Sequence, residues 1–184
     1  MAARPNTNLK AVLDTEVKEW HFHIYFQQGN SEQAHYAQEL RDAVLRLRRD
    51  GAFIAVPLFR VHADPFGPHP VGSYEIWVPA ETFSSVYSYL CLNRGPLSIM
   101  VHPLTQDERA DHDSRASWIG PAYPLDLSKL PVRNGKLPVQ YPSLRTGYSS
   151  KVAFMSIEDR AAMGANVERV LAEKEKDAAR APIP

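Results

Sequence analysis

The chain has 184 residues, 44% of them hydrophobic, and its 21 basic and 21 acidic side chains cancel to zero net charge. One buried core with tails is expected from that size and share, whereas nucleic acid and anionic membranes, which need a basic excess, are poor candidates for partners. Cys91 is the only cysteine, so an internal disulfide framework and a multi-cysteine zinc site are excluded, and no membrane-length or signal-type apolar run stands out; a soluble cytoplasmic protein with seven histidines is the working expectation.

Residues 1–18 are polar with little periodicity and read as a mobile lead. The run WHFHIYF (residues 20–26) alternates as a strand, with Phe22, Ile24 and Phe26 on one side and His21, His23 and Tyr25 on the other. Ser31 is a plausible helix N-cap, and Ala34, Ala37, Leu40, Val44 and Leu47 then recur at helical spacing until Gly51. Residues 53–61 read as a second strand, placed at an edge by Pro57. A proline-rich loop carrying His62 and His69 leads to a third strand over residues 71–78. Residues 79–81 open a second helix with Phe83, Val86, Tyr87 and Leu90 as its apolar face, and Cys91 beside Leu90 reads as a buried thiol. Residues 97–101 form a fourth strand, and an exposed helix is expected over residues 157–178.

The predicted class is α+β: a ferredoxin-like βαββαβ sheet in strand order 4-1-3-2, both helices on one face. The domain spans residues 19–130, and a C-terminal tail, residues 131–184, wraps it. The first and third strands are expected to run parallel, so that His69 enters beside His21 and His23, while the antiparallel fourth strand returns His102 to the same end. Side-chain parity puts His21, His23, Ser73, Glu75, Ser98, Met100 and His102 on the face opposite the helices. A His-x-His pair with a further histidine is a metal-ligand pattern, because neutral imidazole is a common ligand near neutral pH. Glu75 reads equally as a ligand, a general base or a structural partner of Arg60. Trp20 and Trp77 read as an aromatic stack for a substrate or as packing.

The segments WHFHIYF, GPHPVGSYEIWVP and LSIMVHP, followed by DHDSRASWIGPAYPLDLS, resemble the DOPA 4,5-dioxygenase family of pigment-forming fungi and their bacterial relatives. The resemblance runs over residues 18–130 and implies a ferredoxin-like, dimeric, metal-containing enzyme. It further implies extradiol cleavage of the catechol ring of L-DOPA by O₂ with non-haem Fe(II). The product would be seco-DOPA, on the way to betalamic acid or muscaflavin-type betalain pigments. The family's histidine motifs fall on His21, His23, His69, His102 and His112. The last lies in Asp111-His112-Asp113, a departure from the family's pattern that leaves its role open.

Within that resemblance, His21, His23 and His102 are the expected metal ligands, for Fe(II) or for Zn(II) taken up in its place. His69 is the expected acid/base, Glu75 a fourth ligand or the partner of a substrate ammonium, and Arg115 the partner of its carboxylate. Ser73 and Trp118 complete the candidate substrate contacts, and residues 111–127 read as a cover over the open sheet face or as packing. The competing reading is a dimeric α/β sensor whose histidines hold structural Zn(II) or a small ligand, since the fold hosts many functions. A metal-assisted hydrolase is a third.

Overall fold

A computed structural model describes residues 4–152, 155–175 and 177–182. The chain forms two compact units, residues 17–150 and residues 1–16 with 151–184. Within the larger unit, β1 (Glu19–Phe26), β2 (Val56–Pro57), β3 (Gly72–Pro79), β4 (Ser98–Pro103) and β5 (Ser117–Ile119) form one sheet in the order β2-β3-β1-β4-β5. Every pairing in it is antiparallel. The first four strands thus keep the expected order, and β5 adds an edge strand beside β4.

The alternation in β1 explains which face is buried under helices. Phe22, Ile24 and Phe26 join Tyr74, Ile76 and Val78 of β3 and Ile99 and Val101 of β4 in a core with almost no exposure. Ala37, Leu40 and Val44 of α2 (Ser31–Arg49) and Val86 and Leu90 of α3 (Phe83–Asn93) close the same core. Burying one such side chain stabilises the fold by roughly 1.5–3 kcal/mol. Asn30, one residue before the expected cap, accepts from the Gln33 N–H at 3.0 Å and starts α2. Gly51, at φ 87°, takes the left-handed position just past its end.

Three expectations need correction. First, β1 and β3 are antiparallel, with Phe26 opposite Gly72 and His23 opposite Glu75. The strand that separates β1 from its crossover partner β2 must run against both, and the parallel assignment overlooked this. Second, the second strand shrinks to Val56–Pro57, because Pro57 has no N–H to extend a ladder. Third, Cys91 is exposed; Leu90 points into the core and Leu92 is 82% exposed.

The opposite face of the sheet is also covered. Tyr25, Val71 and Met100 are buried there against Ala116, Trp118, Tyr123 and Leu125. Trp77 is fully buried on this side, donating from Nε1 to Glu19 at 2.9 Å, whereas Trp20 packs on Phe83 among the helices. The two tryptophans therefore stand on opposite faces and cannot stack one ligand between them.

The smaller unit contains α1 (Leu9–Asp14), capped by Asn8, within the stretch read from sequence as a lead whose residues 1–3 lie outside the described ones. It also contains α5 (Ile157–Lys174), capped by Ser156. The predicted helix extended to residue 178; residue 176 lies outside the described residues. Arg160 and Glu16 form an ion pair at 3.2 Å within this unit. Among the described residues no helix is long and apolar enough to cross a membrane.

Candidate active site

His21 and His23 project from β1 on the side away from the helices, and the register places His102 of β4 directly opposite His21. One ring nitrogen from each of these three residues lies within 4.8 Å of the others. The His23 and His102 rings stack at 5.1 Å, with their Nε2 atoms 3.1 Å apart. Burial leaves His23 and His102 with 4% and 1% exposure, and there the charged form is disfavoured. Both therefore titrate well below the usual histidine range, driven first by burial and then by neighbouring histidines. His21 is shifted down as well, mainly by burial, with Glu75 and Gln140 opposing.

Hydrogen bonds fix where the ring protons sit. His102 Nδ1 lies 2.8 Å from the Pro103 carbonyl, which can only accept, so Nδ1 carries the hydrogen and Nε2 is a bare lone pair. His112, on α4 (Glu108–His112), donates from Nδ1 to the Glu108 carbonyl at 2.9 Å and likewise keeps Nε2 bare. Its ring centre is 4.0 Å from that of His102. Neutral imidazoles with free nitrogens, and no thiolate among them, are a donor set that fits a divalent transition metal. His21, His23 and His102 could hold such an ion.

His69 reaches the cluster by a route other than the one expected. Because β3 begins opposite the end of β1, the loop before it enters at the far end of the sheet. The chain then turns back on itself: His62 pairs with Ser73, and Phe66 with His69 in a tight turn. His69 thereby lies over the open face, its ring 4.4 Å from His23 and its Nδ1 2.7 Å from the Tyr25 hydroxyl. Burial, then the charge of nearby histidines, brings its pKa down to about 4. His62 stays outside the group, stacked on Phe66 at 3.9 Å.

Around these rings is a cavity of about 240 Å³ lined by His21, His23, His69, Glu75, His102 and His112, with Glu108 and Asp111 further along its wall. That volume suits a molecule with one small ring. A groove of about 500 Å³ beside Phe53 and Tyr141 is larger but presents no histidine or carboxylate, so the smaller cavity is where the chemistry lies. Glu75 partners His21 rather than Arg60, its Oε1 lying 3.1 Å from His21 Nε2.

Of the other predicted contacts, Ser73, Arg115 and Trp118 are not on this wall. Ser73 is 2% exposed, its backbone paired with His62. Arg115 is occupied by Asp111 at 2.8 Å and Asp107 at 3.1 Å, two carboxylates of its own chain. Trp118 lies opposite Met100 and packs on Tyr25 with ring centres 5.2 Å apart. Trp118→Ala is accordingly expected to cost stability, by less than the roughly 3–5 kcal/mol typical of truncating a fully buried aromatic because Trp118 is only partly buried, while metal content stays at the wild-type level. Thermal unfolding beside metal analysis checks this, and lost metal with an unchanged melting temperature would return Trp118 to the site. One wall contact had no sequence signal: Gln140, from an irregular segment, reaches His21 Nε2 at 2.7 Å.

Comparison with known proteins gives the family. The Dopa 4,5-dioxygenase family model matches residues 20–129. A protein of Amanita muscaria named DOPA 4,5-dioxygenase is 63% identical over 182 residues, 99% of this chain and 79% of that protein. An uncharacterised 21.2 kDa protein of Botryotinia fuckeliana is 44% identical over 115 residues, 58% of this chain and 60% of that one. A crystal structure from Nostoc punctiforme, described as that of a candidate dioxygenase, superposes with a TM-score of 0.54 at 30% identity and covers 61% of this chain and 90% of the other.

Proposed function

Because the chain belongs to the Dopa 4,5-dioxygenase family, we propose that it is an extradiol dioxygenase that opens the ring of L-DOPA or a related catechol. Membership supports the dioxygenase activity itself. The extradiol course, seco-DOPA as product and Fe(II) as the metal are our reading. The observation that carries it is a trio of histidines, His23 and His102 buried and His21 partly so, facing one small cavity with a further histidine and a carboxylate on the same wall.

In the reaction one ring carbon–carbon bond beside a hydroxylated carbon breaks, and both atoms of O₂ enter the product, so no further reductant is needed. Fe(II) held by His21, His23 and His102 would supply the Lewis acidity that favours loss of the catechol protons and the electron that activates O₂. Zn(II) fits the same nitrogens but has no redox chemistry.

The remaining work falls to this chain's own groups. His69 takes a catechol proton at Nε2 and returns it later as an acid. Tyr25 supports this exchange, since its hydroxyl can accept from His69 Nδ1–H in both the neutral and the charged ring, which leaves Nε2 bare in the neutral form to take the proton. Glu75 is engaged with His21 and Gln140, and Asp111 with Arg115, so Glu108 is the wall carboxylate left for a substrate ammonium. It is held by Asn134 at 2.7 Å. The Tyr25, Met100 and Trp118 packing beside the cavity excludes bulk water.

The test is anaerobic loading with Fe(II), then L-DOPA, then air. Oxygen uptake matched to substrate loss, with a yellow product, is expected from the iron form and not from the zinc form. Tight zinc binding with an inert iron form would instead favour a structural metal site.

A further inference from the structure

Gln140 lies beyond residues 20–129, the stretch that matches the family, yet its side chain enters the histidine cluster. Its Oε1 is 2.7 Å from His21 Nε2, and its Nε2 is 3.1 Å from Glu75 Oε1. The carboxylate of Glu75 can only accept, so the amide NH₂ must point to it. The amide oxygen is then the group turned toward His21, and it too can only accept. His21 must therefore carry its hydrogen on Nε2, which leaves Nδ1 as its lone-pair nitrogen. Glu75 Oε1, also an acceptor, lies 3.1 Å from the same Nε2 and favours the same tautomer, while the shorter contact is the one to Gln140. Gln140 closes a three-sided arrangement in which each member holds the other two.

The segment that carries Gln140 is fastened on both sides. Before it, Asn134 donates from its backbone to the Gln106 carbonyl at 2.7 Å and from its side chain to Glu108. After it, Tyr141 meets Trp77 edge-on at 5.1 Å, and the turn at Gly147 and Tyr148 donates its backbone N–H groups to Glu81 at 3.0 Å and Glu19 at 3.0 Å. At Gly147, φ is 61° and an added Cβ would stand 2.5 Å from Glu19 Cγ, so glycine lets the turn sit this close. Two carboxylates, the buried Glu19 and the exposed Glu81, thus clamp a strap that has no regular secondary structure of its own around Gln140.

We propose that Gln140 is a positioning residue: together with Glu75 it holds His21 as the Nε2–H tautomer, which leaves Nδ1 as the nitrogen that ring can offer a metal. The role rests on the metal-binding reading of His21, His23 and His102 and does not depend on catechol or oxygen chemistry. Outer hydrogen-bond partners of metal-bound histidines set tautomer and ring orientation, and losing one typically weakens metal binding by ~10–100-fold.

Gln140→Met keeps the length and bulk of the side chain and removes both hydrogen bonds. Its affinity for Fe(II) and for Zn(II), measured by competition with a chromophoric chelator, is expected to fall by roughly 10–100-fold, as in Gln140→Ala, with little change in melting temperature. Nitrogen-15 NMR of the metal-free wild type should show His21 protonated on Nε2, and in Gln140→Met the signal of that proton should shift as the 2.7 Å hydrogen bond is lost. Wild-type affinity in the methionine variant would overturn the proposal and leave Gln140 as packing. So would an Nδ1–H tautomer of His21 in the wild type. Neither readout uses turnover, so an inactive iron form would count against the proposed function without touching this one.

Discussion

Replacing His23 by alanine is expected to abolish metal retention while the protein stays folded. The ring is buried in the middle of the cluster, with His102 Nε2 at 3.1 Å and the rings of His21, His69 and His112 all within 6 Å. His69 and His112 lie outside the trio whose nitrogens converge within 4.8 Å, so neither stands in its place. Metal affinity should therefore drop by more than the ~10–100-fold typical of losing an outer partner. The fold should survive because Phe22 and Ile24, which flank His23, point to the other face and keep their contacts. Losing the partner of one buried imidazole costs about 1–3 kcal/mol. Metal analysis of the purified variant, with a thermal melt alongside, decides the matter, and full stoichiometric metal would remove His23 from the ligand set.

His69→Ala has a different expected signature. Its ring faces the cavity but lies outside the trio whose nitrogens converge, so metal content should be close to wild type. Ring opening should slow by roughly 10²–10⁴-fold, the scale for losing a positioned acid/base group. Anaerobic catechol affinity should change far less than the rate. Single-turnover kinetics on the iron-loaded variant separate these quantities. A variant that has lost its metal would make His69 a ligand and force one of the three to exchange roles with it.

The chemistry of β1 and β4 could be read from sequence because strand parity is a strict two-residue rule. Once Phe22, Ile24, Ile99 and Val101 are assigned to the core, His21, His23, Met100 and His102 have no choice of face. Position along the sheet depends on strand direction, which parity does not give. His69 was placed in the right cluster through a wrong direction for β3, and it arrives there only because residues 62–70 double back. Backbone turns of that kind depend on pairings such as Phe66 with His69, which leave no period in the sequence. Arg115 illustrates a second limit. A lone arginine near a site suggests a substrate carboxylate, but the acids four and eight residues before it, Asp111 and Asp107, already take its donors. Gln140 illustrates a third, since an uncharged side chain in an irregular strap has neither periodicity nor motif to mark it. The carboxylates that hold that strap, Glu19 and Glu81, lie 121 and 59 residues before Gln140, beyond the reach of local reading.

The identity of the product tests the central claim most directly. When iron-loaded protein turns over L-DOPA in air, mass spectrometry and NMR should find a ring-opened compound equal to substrate plus both atoms of O₂, or that mass less one water after ring closure. It should carry one new carboxylate and one aldehyde, as cleavage beside the hydroxyl pair requires. A quinone with its ring intact, or a product with two new carboxylates from cleavage between the hydroxyls, would contradict the account.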